Sequence, residues 1–232
     1  MLSTFLQTAV DAVEMTPVQE ELSFSLISMA AKGGWLMLVL LALSIVAIYI
    51  FGKKWWAIRQ AGRIDRNFIK DVDNYLAEGK VRSARALCKR SDTPIARMIE
   101  KGVERIDKPL SDIRIAVENV ANVEVAKLEK GLPALATIAG GAPMIGFLGT
   151  VMGMVQAFFN MAQAGNNIDI TLLSGGIYTA MITTVGGLIV GILAYFGYNF
   201  LTSRVTSLVA KMEASSIEFL DAAQARQESK EA

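Results

Sequence analysis

The sequence predicts an all-α polytopic membrane protein with three transmembrane helices. Three uncharged, largely apolar runs (33–52, 131–168 and 170–203) each reach the roughly 20 residues that a helix needs to cross a bilayer. Overall, 53% of the 232 residues are hydrophobic and 19% are charged, whereas soluble domains carry about 25% charged residues. No strand-like alternation or internal repeat stands out between these runs.

The composition argues against most enzyme classes. Histidine, the commonest general base and metal ligand, is absent. The single Cys88 excludes an internal disulfide and a CxxC metal site, and we interpret it as a packed thiol. With 23 Lys+Arg against 22 Asp+Glu, the charge balance indicates no nucleic-acid partner. We therefore expect no enzymatic activity, no metal and no cofactor.

Residues 1–32 form an N-terminal segment ahead of the first span, 33–52. This segment is acidic, whereas a cleaved signal peptide begins with basic residues, so we expect the first span to be retained. The sequence from Thr16 to Gln19 is typical of a helix start and predicts an amphipathic helix on the membrane surface. Aromatic residues flank the span as predicted interfacial anchors. They are Trp35, Trp55 and Trp56.

The region 53–130 is predicted to be a cytoplasmic helical region. It holds 18 basic and 12 acidic residues, whereas the 161–171 connection holds no basic residue. Because basic residues favour the cytoplasmic side, we expect this region and the tail 204–232 in the cytoplasm. The N-terminus and an extracytoplasmic turn at 165–171 then lie on the opposite side. The first basic residues could also contact anionic lipid heads. These are Lys53, Lys54, Arg59 and Arg63.

Apolar spacing within 53–130 predicts several helices. After Lys108-Pro109, a further stripe comprising Ile113, Val117, Ala121, Val125, Leu128, Leu132 and Leu135 shows no charged or loop-like break. It predicts one helix that continues from the cytoplasm into the second span. The earlier stripes are Ile64, Phe68, Val72 and Tyr75 up to Gly79, then Val81, Ala84, Leu87 and Cys88 up to the Ser91–Pro94 stretch, then Ile95, Ile99, Val103 and Ile106.

The second span (131–164) and the third (172–203) each carry a stripe of small residues at helical spacing. Small faces let helix backbones approach closely in lipid, so close helix packing is the first interpretation and pore lining the second. Pro143 withholds one backbone hydrogen bond and predicts a kink. The glycines predicted to pack are Gly146, Gly149, Gly153, Gly187 and Gly191.

Four threonines accompany these stripes: Thr150 in the second span, and Thr179, Thr183 and Thr184 in the third. Each hydroxyl could bond back to its own helix. Alternatively, the hydroxyls could line a path for a proton or a hydrated ion. Neither span contains Asp, Glu or His, and Asp169 at the outer end of the third suits an N-cap. A proton path would therefore need a carboxylate from a partner.

Two stretches resemble the MotA/TolQ/ExbB proton-channel family, most of all its three-span ExbB and TolQ branch. They are PMIGFLGTVMGMVQAFFNMA (143–162) and LLSGGIYTAMITTVGGLIVGILAYFGYNFL (172–201). Weaker matches at the first span and at 75–106 extend the resemblance over most of residues 20–205. In this family the threonine of LGTVxGM and the second threonine of TTxxGL line the interior. Those positions are Thr150 and Thr184 here.

The resemblance implies a channel or stator subunit of the bacterial inner membrane. Such subunits form a homo-oligomer, a pentamer, around a single-span ExbD- or TolR-like partner that carries a membrane Asp. Proton flow would then supply work, through a TonB- or TolA-like protein, to TonB-dependent outer-membrane uptake. A TolQ-like subunit for envelope maintenance is the alternative within the family.

Other interpretations stay open at this point. A non-conducting scaffold that houses a partner helix would also explain spans without carboxylates. A solute transporter ranks last, because spans two and three carry no charged substrate site and no inverted repeat.

Many family members have a Glu in a GIAEAL-type segment, where this chain has GIYTAM with Thr179. The coupling ion is therefore left open between H+ and Na+.

Overall fold

The computed structural model describes residues 34–64, 67–164 and 170–231. Within these ranges the chain forms α-helices and no strand, which confirms the all-α class. The predicted surface helix before the first span, the turn at 165–169 and the role of Asp169 lie outside the described residues. The helices are α1 (Gly34–Ala61), α2 (Phe68–Ala77), α3 (Val81–Ser91), α4 (Pro94–Val103), α5 (Leu110–Glu129), α6 (Leu132–Ala164) and α7 (Ile170–Glu231).

Three helical stretches are long and apolar enough to cross a membrane, as the sequence predicted. They are Gly34–Ala61, Leu110–Gln163 and Ser174–Glu228. Many large apolar side chains on these helices are exposed, such as Leu38, Phe147 and Leu193, which is the pattern expected of helices that face lipid or other helices. The 62 residues of α7 would extend about 93 Å, well beyond the roughly 30 Å of a hydrocarbon core.

The short helices α2, α3 and α4 begin and end close to where the sequence predicted. Asp92 ends α3 in the left-handed conformation, with φ of 40°. Thr93 then caps α4, because its hydroxyl accepts a hydrogen bond from the Ala96 N–H at 3.3 Å. Three details of the prediction were wrong. Ile64 precedes the start of α2, and Ile106 is buried beyond the end of α4. In α2, Leu76 is buried where Tyr75 was expected.

The predicted continuous helix from the intervening region into the second span was also wrong. α5 ends at Glu129, and α6 starts at Leu132 after Gly131, which has a φ of +95°. Glycine adopts positive φ without the steric penalty of a side chain. Pro133 has no N–H to donate to the carbonyl four residues earlier, so the helical ladder cannot continue there. The apolar stripe is unbroken, but the backbone that carries it is not.

Lys54 of α1 caps this break. Its Nζ donates hydrogen bonds to the carbonyls of Lys127, at 3.0 Å, and of Leu128, at 3.2 Å. These carbonyls lie in the last turn of α5, where the helix supplies no further N–H partners. The Lys54 stem also runs beside Gly131, where a Cβ built on the glycine would lie 3.5 Å from the lysine Cε.

Contacts within the chain divide it into two compact units. Among the described residues, the first comprises 34–43, 141–164 and 170–191, and the second comprises 44–64, 67–140 and 192–231. In the second unit, α4, α5 and the C-terminal part of α7 share a buried core. Its fully buried side chains include Ile95, Met98, Ile99, Ile113, Val117, Met212 and Phe219.

Glu124 is a buried carboxylate on α5 that the apolar stripe did not predict. Its side chain is 4% exposed and pairs with Arg97 and Lys127, each at 2.7 Å. Hydrogen bonding to Glu124 raises the pKa of the Arg97 guanidinium. The two cations offset the cost of burying the carboxylate. The stripe positions Ala121 and Val125 are only half-buried.

Cys88 lies on the buried side of α3. Burial raises the pKa of its thiol to about 12, with a smaller contribution from the charge of Glu100. The side chain is 1% exposed. The interpretation of Cys88 as a packed thiol is therefore confirmed.

Substituting Gly102→Ala should destabilise the second unit. The added methyl would meet the Phe219 ring and lie 2.9 Å from Val117 Cγ2, and all of these atoms belong to a packed core. We expect a loss of about 1–3 kcal/mol in unfolding free energy, as for other overpacked sites. Thermal unfolding of the detergent-purified chain measures it.

Gly52→Ala is the matched control, because nothing lies within 4 Å of a Cβ built at Gly52 in α1. It should be neutral or stabilising by up to about 1 kcal/mol, through helix propensity alone. Equal melting temperatures for the two variants would contradict the packing described at Gly102.

Candidate functional site

In the first unit, α6 and α7 approach each other through glycine. A Cβ built on Gly146 would lie 2.9 Å from the Thr183 carbonyl oxygen and 3.2 Å from Gly187 Cα. A Cβ built on Gly187 would lie 2.6 Å from the Ala142 carbonyl oxygen. All three distances are to backbone atoms, which cannot rotate away as a flexible side chain can. At this level the two helix backbones touch.

The contact continues along both helices toward α6's C-terminal end. A Cβ on Gly153 would lie 2.6 Å from Ala180 Cβ, and one on Gly176 would lie 2.7 Å from Ala157 Cβ. A Cβ on Gly149 would meet the Thr183 side chain. Four of the five glycines expected to pack therefore lie in the contact, namely Gly146, Gly149, Gly153 and Gly187. The fifth, Gly191, is buried on α7.

Thr184 makes a hydrogen bond between the two helices. Its half-buried hydroxyl donates to the Gly146 carbonyl at 2.9 Å. A carbonyl oxygen has two lone pairs, so it can accept this bond in addition to a helical one. The absence of a side chain on Gly146 lets the hydroxyl reach that carbonyl.

Two other hydroxyls, those of Thr150 and Thr183, bond within their own helices. Thr150 donates to the Phe147 carbonyl at 2.6 Å, and Thr183 donates to the Ala180 carbonyl at 2.7 Å. Thr183 is 3% exposed, whereas Thr150 and Thr179 are half-buried. A hydroxyl that donates its proton keeps lone pairs that can accept another. Thr150, which bonds back to its own helix, and Thr184, which bonds across to α6, are therefore both able to accept a further hydrogen bond.

Pro143 lies in α6 and the three tryptophans lie in α1. Pro143 is inside α6 and half-buried. Trp35, near the start of α1, is 64% exposed, and Trp56 is 71% exposed. Trp55 is 44% exposed. Each indole is thus accessible to lipid or solvent.

The site offers only neutral ligands. The uncharged runs 131–168 and 170–203 supply hydroxyls and backbone carbonyls but no carboxylate. In the described ranges, no cluster of His, Cys, Asp or Glu could hold a metal ion. Hydroxyls and backbone carbonyls can accept hydrogen bonds or solvate a cation, but they do not titrate near neutral pH.

A sequence model of the MotA/TolQ/ExbB proton channel family matches residues 90–214. The chain belongs to this family. The matched range includes the α6–α7 contact and all four threonines. Family members of the ExbB and TolQ type are channel and energy-transducing proteins, and this chain is a multi-pass membrane protein and a proton-channel motor subunit of that type.

Individual relatives agree with the family. An ExbB homolog for biopolymer transport from Methanothermobacter thermautotrophicus is 27% identical over 190 residues, which cover 82% of this chain and 67% of that protein. Biopolymer transport protein ExbB of Neisseria gonorrhoeae is 35% identical over 107 residues, covering 46% of this chain and 48% of that protein. Tol-Pal system protein TolQ of Haemophilus influenzae is 37% identical over 93 residues, or 40% of each chain.

Substituting Gly187→Ala should separate α6 from α7. Because the methyl would meet the Ala142 carbonyl and the Gly146 backbone, one helix must shift. We expect a loss of about 1–3 kcal/mol in stability and a lower melting temperature for the detergent-purified chain.

Gly175→Ala, on the same helix, is the control, because nothing lies within 4 Å of a Cβ built there. A melting temperature for Gly187→Ala that matches this control would show that the backbones do not touch at Gly187.

Proposed function

We propose that this chain is the channel subunit of a proton-driven motor whose ion path follows the small-residue faces of α6 and α7. The observation that carries the proposal is the pair Thr150 and Thr184, half-buried beside the glycine contact within the uncharged runs of α6 and α7. Their hydroxyl oxygens retain acceptor capacity toward a neighbouring helix or a water. Thr179 would extend this polar strip. Thr183, buried against Gly149, would contribute by fixing the helix contact.

The titrating group of the path must come from another chain. Proton relays in membranes use Asp, Glu or His, and neither uncharged run contains one. We propose a single-span ExbD- or TolR-like partner that carries a membrane Asp, held within a homo-oligomer, a pentamer, of this chain. One charge crossing about 100 mV releases about 2.3 kcal/mol, which is sufficient to drive a conformational step.

The work would be delivered to TonB-dependent outer-membrane uptake through a TonB-like protein. The relatives named for biopolymer transport, which align over the longer stretches, support this assignment. The TolQ relative supports the alternative, a motor for envelope maintenance that acts through a TolA-like protein. Thr179 in place of a carboxylate leaves Na+ as a second candidate for the coupling ion.

We further propose the topology that the basic residues indicate. The chain lies in the bacterial inner membrane with its N-terminus in the periplasm and its C-terminus in the cytoplasm. The region 53–130, with its 18 basic residues, and the tail 204–232 then share the cytoplasmic side.

Replacing Thr150 or Thr184 by Val should reduce ion flux while preserving side-chain shape. Loss of one hydrogen-bond acceptor in the path is expected to lower the rate about five- to tenfold. The measurement is pH-dye-reported proton uptake by proteoliposomes that contain the chain and its co-purified partner. Thr184→Ser should retain most of the flux, because it keeps the hydroxyl.

Thr137→Val is the matched control on α6. Thr137 also bonds back to its own helix, to the Pro133 carbonyl at 2.9 Å, but it is exposed and lies outside the small-residue contact. If Thr150→Val and Thr184→Val conduct as well as this control, the hydroxyls do not line the path.

The identity of the complex tests the partner requirement. We expect native mass spectrometry of the complex, purified through a C-terminal tag, to show several copies of this chain with a small single-span protein that carries a membrane Asp. Changing that Asp to Asn should abolish flux and energised uptake. A complex that still energises uptake after this change would be a scaffold and not a proton motor.

A further inference from the structure

A groove in the second unit carries a concentration of positive charge. It lies between the last turns of α1 and the middle of α7 and has a volume of about 440 Å³. Arg59, Arg204 and Lys211 are among its lining residues, and no acidic residue is. In the described part of the chain, no carboxylate lies within ion-pair distance of these three cations. The groove therefore has charge that the surrounding helices leave uncompensated.

The walls and floor of this groove are apolar. Trp55 and Phe200 form part of the lining, with the Arg59 guanidinium 5.7 Å from the Trp55 ring centre and the Arg204 guanidinium 5.2 Å from that of Phe200. The floor consists of buried aliphatic side chains. These are Ile58, Leu201 and Leu208.

The position of the groove along the sequence sets its depth in a membrane. On α1 the first charged residue after the uncharged run is Lys53, and on α7 it is Arg204. The groove spans residues 55–62 and 200–211, so both of its sides lie where a helix leaves its apolar segment. Tryptophan and arginine at this level are typical of the headgroup region. An aliphatic floor would not stabilise a free anion. It can contact the glycerol and first acyl carbons of a phospholipid.

From this arrangement we infer that the groove is a binding site for an anionic phospholipid, the phosphate of which lies between Arg59 and Arg204. Guanidinium groups bind phosphate oxygens through paired N–H donors. Lys211 and the Ser207 hydroxyl are placed to contact a second polar group of the headgroup. The inference concerns this groove alone and is independent of the ion path proposed for α6 and α7.

Trp55 provides the readout. In a Trp35→Phe/Trp56→Phe background it is the sole tryptophan of the full chain. The purified complex is reconstituted in nanodiscs of phosphatidylcholine with increasing mole fractions of brominated phosphatidylglycerol or brominated phosphatidylcholine. We expect half-maximal quenching of Trp55 at a mole fraction at least about fivefold lower for brominated phosphatidylglycerol than for brominated phosphatidylcholine. Each nearby cation should increase the affinity for an anionic lipid by about that factor.

Three double variants localise the effect. Arg59→Gln/Arg204→Gln should abolish the preference for phosphatidylglycerol, and Arg59→Lys/Arg204→Lys should keep part of it. Arg82→Gln/Arg90→Gln removes the same charge from exposed positions on α3, outside the groove lining, and should leave the preference intact.

Four results would overturn the inference. Equal quenching by the two lipids would indicate ordinary contact with the bilayer. Equal loss of preference in both glutamine variants would indicate diffuse charge attraction. Full competition by millimolar inorganic phosphate would indicate a simple anion site. Absence of quenching by either lipid would show that another protein segment, such as a second copy of this chain, covers the groove.

Discussion

The backbone contact between α6 and α7 is the constraint on which the membrane portion depends. Lipid offers no hydrophobic gain for bringing two apolar helices together, so dispersion contacts and interhelical hydrogen bonds must do it. Gly146 and Gly187 permit both at once, since their missing side chains allow backbone contact and expose a carbonyl to Thr184. Larger residues at either position would remove the hydrogen bond together with the packing.

The same contact explains how a polar strip can persist in such apolar helices. Thr150 and Thr183 donate to carbonyls of their own helices and Thr184 donates to the facing helix, so burying these hydroxyls costs little, yet their oxygens can still accept. The result is a surface that is neutral and hydrogen-bonding but does not itself titrate. In the proposed motor, proton affinity would rest with a carboxylate on the partner chain. Dividing these roles between two chains would allow movement of one against the other to be coupled to protonation.

Much of this architecture was accessible from the sequence, because membrane spans and small-residue stripes depend on local patterns. The lengths of uncharged runs predicted three spans, and the Ser91–Pro94 stretch predicted the end of α3. The break at Gly131 was missed because the side-chain stripe continues through it, although the glycine and Pro133 were visible signals. Burial of Glu124 and the bond from Thr184 to Gly146 depend on the register between helices far apart in sequence, which one sequence does not specify.

The break at Gly131 makes α5 and α6 two separate helices, whereas α7 runs from Ile170 to Glu231 without interruption. Inside a helix, each backbone dihedral angle is held by the surrounding ladder of hydrogen bonds. At the break that ladder is interrupted, and glycine has no side chain to limit its own dihedral angles. The two hydrogen bonds from Lys54 hold the last turn of α5 and leave Gly131 itself unrestrained by that side chain. A change of direction between α5 and α6 therefore costs least at Gly131.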